Sequence, residues 1–175
     1  MRGGPRLIVS GPLALACLAL AASMGWFYPL PIWPLAVALV CYAAALWRWP
    51  VLFLVVVPAT LPTLDLGIWT GWTMVGEPDL VVLITLGVLL LREPPSREDL
   101  FPRGRSGAVL LFFIVSFAIS AGAGLLTTLP GRALSDNPYL RPDNALRLIK
   151  PLAEAMALLP LMRHRQRTHG AETWQ

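Results

Sequence analysis

Between residues 7 and 64 the chain carries one charged side chain, Arg48. A soluble fold would have to enclose that whole stretch away from water, yet the chain has few polar residues with which to cover it. Charged residues make up 14% of the sequence, against roughly a quarter in soluble domains. The solvent this pattern fits is a lipid bilayer. Backbone amides in hydrocarbon must be satisfied within the spanning segment, and an open strand edge facing lipid cannot do this. The β-branched run Val51–Val57, which would pass for a buried strand in water, is therefore expected to be helical.

Crossing about 30 Å of hydrocarbon at about 1.5 Å per residue takes roughly 20 apolar residues. Six hydrophobic segments stand out, at 7–26, 32–47, 50–62, 79–91, 107–129 and 144–162. The first and fifth reach spanning length. The third and fourth are short, and two half-helices that turn back to one face would leave the same end points as two full crossings. The expected fold class is all-α: a polytopic helical membrane protein forming one integral membrane domain, 1–175, with a basic tail at 163–175.

The net charge of +4 is spread over short loops between apolar segments. That distribution follows membrane topology and does not point to nucleic acid. If all six segments cross, Arg2, Arg6, Arg48, Arg92, Arg97, Arg103, Arg105, Arg163, Arg165 and Arg167 share one side, and Arg132, Arg141, Arg147 and Lys150 the other. The imbalance puts both termini in the cytoplasm of a bacterial inner-membrane protein. The N-terminus also has the look of a secretory signal, with Arg2 and Arg6 before an apolar run and Ala21-Ala22-Ser23 after it. Continuation of the run and the segments that follow favour an uncleaved first span. Cys17 and Cys41 lack metal or redox spacing and read as packing residues. His164 and His169 fall in the basic tail and read as solvated.

Cys17, Ala21 and Gly25 form a small-residue stripe in the first segment, and Ser116, Ser120 and Gly124 form one in the fifth. Such stripes let helices approach closely. Trp26, Phe27 and Tyr28, and later Trp47 and Trp49 around Arg48, are aromatic anchors for a membrane boundary. The segment from Thr63 to Asp79 holds three glycines, two tryptophans and three carboxylates, the makings of a shaped outer loop.

No nucleophile elbow, phosphate loop, dinucleotide fingerprint or zinc spacing is present, and no cofactor or metal is expected. Two constellations remain. Asp65, Glu77 and Asp79 offer carboxylates for acid–base work or a divalent cation; the plainer reading is boundary residues, with Asp79 capping the fourth helix. Arg141, Arg147 and Lys150 form a basic group near the outer face, suited to phosphate. The plainer reading there is snorkelling side chains, with Lys150 and Glu154 one turn apart.

Two stretches carry a resemblance. Leu61-Pro-Thr-Leu-Asp65-Leu-Gly-Ile-Trp69-Thr-Gly71, followed by Glu77-Pro-Asp79-Leu80, resembles a stretch near the N-terminus of bacterial O-antigen ligase-like membrane proteins. There, a proline and an Asp-Leu pair precede Trp-Ser/Thr-Gly, and an acidic-Asp-Leu opens the next helix. Pro138-Tyr139, Asn144-Ala-Leu-Arg147 and Lys150 are similar to that family's Pro-Tyr-Asn-Ala-Leu-Arg-x-x-Lys-Gly. Leu140, Arg141, Pro142 and Asp143 intervene here, and Pro151 stands where the family has glycine. The resemblance runs over about 50–162.

Family members have many more spans, and their glycosyl transfer from a polyprenyl-pyrophosphate donor depends on a large periplasmic loop that has no counterpart here. The resemblance thus implies an N-terminal portion linked to surface polysaccharide assembly and not catalytic alone. It also implies donor-phosphate contact at Arg147 and Lys150, with a larger glycan-assembly protein as partner. The alternative is a small non-enzymatic membrane scaffold that binds other transmembrane helices through its small-residue stripes.

Overall fold

The structure is a computed structural model that describes residues 10–28, 30–63, 76–126 and 144–169. Its regular elements are α-helices: α1 Ser10–Trp26, α2 Ile32–Arg48, α3 Phe53–Thr63, α4 Glu77–Arg92, α5 Arg105–Leu126 and α6 Asn144–His169. Two 3₁₀ turns, Pro50–Leu52 and Arg97–Asp99, precede α3 and α5, and there is no strand among the described residues. The all-helical class expected from the sequence therefore holds, including for the β-branched run in α3.

Prolines set several of the boundaries. A residue before proline is pushed out of the helical region, and α2 and α4 both end on that rule. Trp49 precedes Pro50 and sits at φ −129°, ψ 81°; Glu93 precedes Pro94 and sits at φ −136°, ψ 68°. Proline early in a helix is harmless, since the first N–H groups have no helical partner. Pro78 occupies such a place in α4. Pro151 does not end α6, which runs on to His169.

The chain divides into two compact units: Met1–Leu100 with Leu158–Gln175, and Phe101–Ala157. In the first unit α4 is the central helix, with α1, α2 and α3 packed around it. Eleven of its sixteen residues are buried, whereas α1 buries two residues and α2 one. A helix apolar on every side has to be enclosed, and α4 meets that need with three neighbours. The core cluster combines Leu46, Phe53, Val57, Val82 and Leu89 with Leu158 and Leu161 of α6.

Two contacts fix the directions. The Tyr42 hydroxyl lies 2.7 Å from Thr85 Oγ1, and Arg92 Nη1 donates to the Leu46 carbonyl at 3.5 Å. Residue numbers rise together along α2 and α4, so these helices run parallel. Thr85 spends its own proton on the Val81 carbonyl at 2.7 Å, which leaves the Tyr42 hydroxyl as donor. α1 crosses α4 at Gly87. A Cβ there would come within 2.5 Å of Leu18 Cγ and 3.3 Å of the Ala14 carbonyl. The contact is made by Ala14 and Leu18; of the small-residue stripe, Ala21 is buried and Cys17 half-buried.

In the second unit, α5 has 22 residues and, by length and composition, is the one described helix long and apolar enough to cross a membrane. It extends about 33 Å. Its large side chains are open, Phe112 at 75% and Ile119 at 68% exposure among them. The turn before it leaves no room for a side chain at Gly107, where a Cβ would meet the Pro102 carbonyl at 2.1 Å.

Two features differ from the sequence reading. The fourth segment, short on paper, is the structural centre of its unit. The basic stretch taken as tail from 163 onward is helical as far as His169.

Candidate functional site

The densest polar cluster lies just past the end of α4. Ser96-Arg-Glu-Asp99 folds into a 3₁₀ turn because the Asp99 carboxylate reaches back to the start of the turn. Its Oδ2 accepts the Ser96 backbone N–H at 2.9 Å and the Ser96 hydroxyl at 2.8 Å. This is the reciprocal capping arrangement of Ser-x-x-acid sequences. From α6, His164 Nδ1 comes to 3.0 Å of Oδ2 and Arg167 Nη1 to 2.9 Å of Oδ1. A carboxylate can only accept, so the His164 proton sits on Nδ1. Arg167 Nη2 also reaches Glu98 at 2.7 Å, and Arg165 Nη2 reaches Glu93 at 2.8 Å.

The Asp99 side chain is 1% exposed. Burial would raise its pKa; the Ser96 bonds and then His164 and Arg167 outweigh that and bring the carboxyl from 3.8 to about 2. The Arg167–Glu98 contact is half-exposed on both sides, and such pairs contribute little. The tie between α6 and the segment after α4 therefore rests on Asp99 with His164 and Arg167, and on the less exposed Arg165–Glu93 pair. His164, expected to be solvated, is instead a half-buried partner of this carboxylate.

Serine, histidine and aspartate side by side invite comparison with a hydrolytic triad, in which serine is bonded to histidine and histidine to aspartate. Here both Ser96 and His164 donate to the same Asp99 oxygen. The Ser96 proton goes to the carboxylate and not to a base, so the hydroxyl is not activated. The arrangement joins two segments and does not prepare a nucleophile. Among the described residues no group of His, Cys, Asp and Glu side chains could hold a metal ion.

The expected acidic group is partly in view. Asp79 Oδ2 accepts the Gly76 backbone N–H, and the Asp79 N–H donates to the Gly76 carbonyl at 3.1 Å. This is the capping role of the plainer reading, at a helix start that also favours negative charge. Glu77 is 6% exposed, and its Oε1 has no hydrogen-bond partner among the described residues. Asp65 lies outside the described residues. Of the basic group, Arg141 also lies outside them. Arg147 falls in the first turn of α6 with its side chain undescribed, and Lys150 is half-buried on the same helix in the second unit.

A groove of about 440 Å³ opens between α1 and α2, floored by Ile84 of α4. Ala21, Gly25, Ala36 and Trp33 line it, and its walls are almost wholly apolar. Comparison of the chain with protein-family models, with curated proteins and with solved structures returned no match.

Proposed function

We propose that the chain is a multi-pass bacterial inner-membrane protein, a helical module of surface polysaccharide assembly that does not catalyse glycosyl transfer alone. One observation supports the membrane part above all: α5, long and apolar enough to cross a bilayer, leaves Val109, Phe112, Phe113, Val115, Ile119 and Leu126 exposed over most of its surface. In water, burying an exposed leucine or phenylalanine is worth about 1.5–3 kcal/mol each; in hydrocarbon the same exposure costs nothing. Supporting the sidedness, the Arg48 end of α2, the Arg92 end of α4 and the Arg163–Arg167 stretch of α6 lie at one end of the first unit. These are loops that charge asymmetry assigns to the cytoplasm.

The polysaccharide part is supported by the resemblance of 61–80 and 138–150 to O-antigen ligase-like proteins. In this reading Arg147 and Lys150 contact the phosphates of a polyprenyl-linked donor once a larger partner supplies the remaining helices. Replacing both with alanine in the bacterial host is expected to shorten or deplete surface glycan, read by gel profile of extracted polysaccharide. An unchanged profile retires the phosphate role.

The second reading, a non-enzymatic scaffold, is favoured by the apolar groove between α1 and α2 and by the exposed serines of α5, Ser116 and Ser120. Recovery of the protein from detergent with helical partners unrelated to glycan handling would favour it.

A further inference from the structure

The exposed face of α2 has an indole at each end. Trp33, Val37, Val40, Ala44 and Trp47 recur at spacings of four, three, four and three, which places them in one stripe along the helix. All five are exposed, Trp33 at 79% and Trp47 at 55%. Between the two tryptophans α2 carries no charge, and Arg48 follows directly after the second. Indole rings favour the headgroup boundary on either side of a bilayer. From Trp33 to Trp47 the helix advances fourteen residues, a rise of about 21 Å.

α4 gives nearly the same length independently. It runs parallel to α2, with Thr85 level with Tyr42 and Arg92 reaching the Leu46 carbonyl. In that register Glu77 and Asp79 come level with the Trp33 end of α2, and Arg92 with the Trp47 end. Residues 80–91 between them hold no charge and rise about 18 Å. An ionised side chain is costly inside hydrocarbon, so the two helices stop being apolar at the same two levels. α5, taken by itself, carries no charge after Arg105 and extends about 33 Å.

We propose that the first unit carries a hydrophobic belt about 20 Å tall and takes as its partner a bilayer of short-chained phospholipid, thinner than the usual hydrocarbon core of about 30 Å. The proposal rests on the membrane reading given above. A belt shorter than the surrounding hydrocarbon draws the bilayer thin, at a cost that grows with each Å of mismatch. Submerging the ends is the worse alternative. It would carry the exposed Arg48 into hydrocarbon, together with Arg92 and Arg165 on their shared Glu93 oxygen. Short acyl chains remove the mismatch without moving any of these groups.

The test reconstitutes the full chain in phosphatidylcholine vesicles whose monounsaturated chains have 14, 18 or 22 carbons. Amide hydrogen exchange is read peptide by peptide with mass spectrometry. Peptides of α2 and α4 are expected to exchange slowest at 14 carbons and about tenfold faster at 22. Peptides of α5 are the internal control and should be best protected at 18. Val40→Asp puts a charge in the middle of the exposed stripe, and it should strip protection from α2 at all three lengths.

Protection of α2 and α4 that peaks together with α5, or that ignores chain length, overturns the short belt. A Val40→Asp protein as well protected as wild type shows that α2 does not face lipid, and the membrane reading itself then fails. Loss of protection in Val40→Asp without a preference for 14 carbons removes only the belt.

Discussion

Asp99 gathers four donors on two oxygens: the Ser96 amide, the Ser96 hydroxyl, His164 and Arg167. Its folded pKa of about 2 lies below the unfolded value of 3.8, so the ionised form stabilises the fold. That contribution is complete above pH 3.8 and disappears as pH falls through about 2. It amounts to about 2 kcal/mol. In detergent, the melting temperature of the wild-type protein is expected to drop across this window. Asp99→Asn should start about 2 kcal/mol less stable at pH 6 and show a flatter acid profile; a variant that melts like wild type at pH 6 contradicts the role given to this carboxylate. Half of the cluster was readable beforehand, because Ser96-x-x-Asp99 is a local capping pattern. The other half was not. His164 and Arg167 lie 65 and 68 positions away, and a basic run beside an apolar helix reads as solvated when nothing nearby in sequence opposes it.

Among the helices, length alone located α1, α2 and α5 in the sequence, since each is an unbroken apolar run. It was a poor guide to α4. Glu77, Pro78 and Asp79 trim that segment, but they form its first turn and lie within the helix. What marks α4 as central is its apolar character on all sides, and a criterion based on spanning length does not see this. This helix crosses α1 at Gly87, where the approach of Leu18 and Ala14 leaves no room for a methyl group. Gly87→Ala is expected to cost about 1–3 kcal/mol by overpacking, measured by thermal unfolding in detergent. Gly122→Ala on α5 has nothing within 4 Å and should be neutral or slightly stabilising, by less than about 1 kcal/mol through helix propensity. Equal effects at both glycines would show that the contact with α1 does not govern the first.

For the molecule as a whole, the all-helical class was legible because hydrocarbon, the solvent we propose for these segments, permits so few backbone solutions. The candidate site was less so: Asp79 took its capping place, whereas the basic group is spread between undescribed residues and a half-buried Lys150. Reporter fusions test the arrangement in the membrane directly. Junctions after Arg48, Ser96 and Gln175 are expected to report cytoplasm, and junctions after Gly71 and Asn137 the outer side. A Gly71 fusion that reports cytoplasm would convert the third and fourth segments to a re-entrant pair or remove them from the membrane.

The bond between Asp99 and Arg167 also imposes an order in time. α4 and the turn after it leave the ribosome long before the residues that fasten them, so the first unit stays open at one end during most of synthesis. Truncation or nonsense mutation anywhere between 100 and 163 would strand a nascent bundle whose Asp99 carboxylate has only Ser96 to answer it. Such a product should be cleared by quality-control proteolysis faster than one interrupted after residue 169.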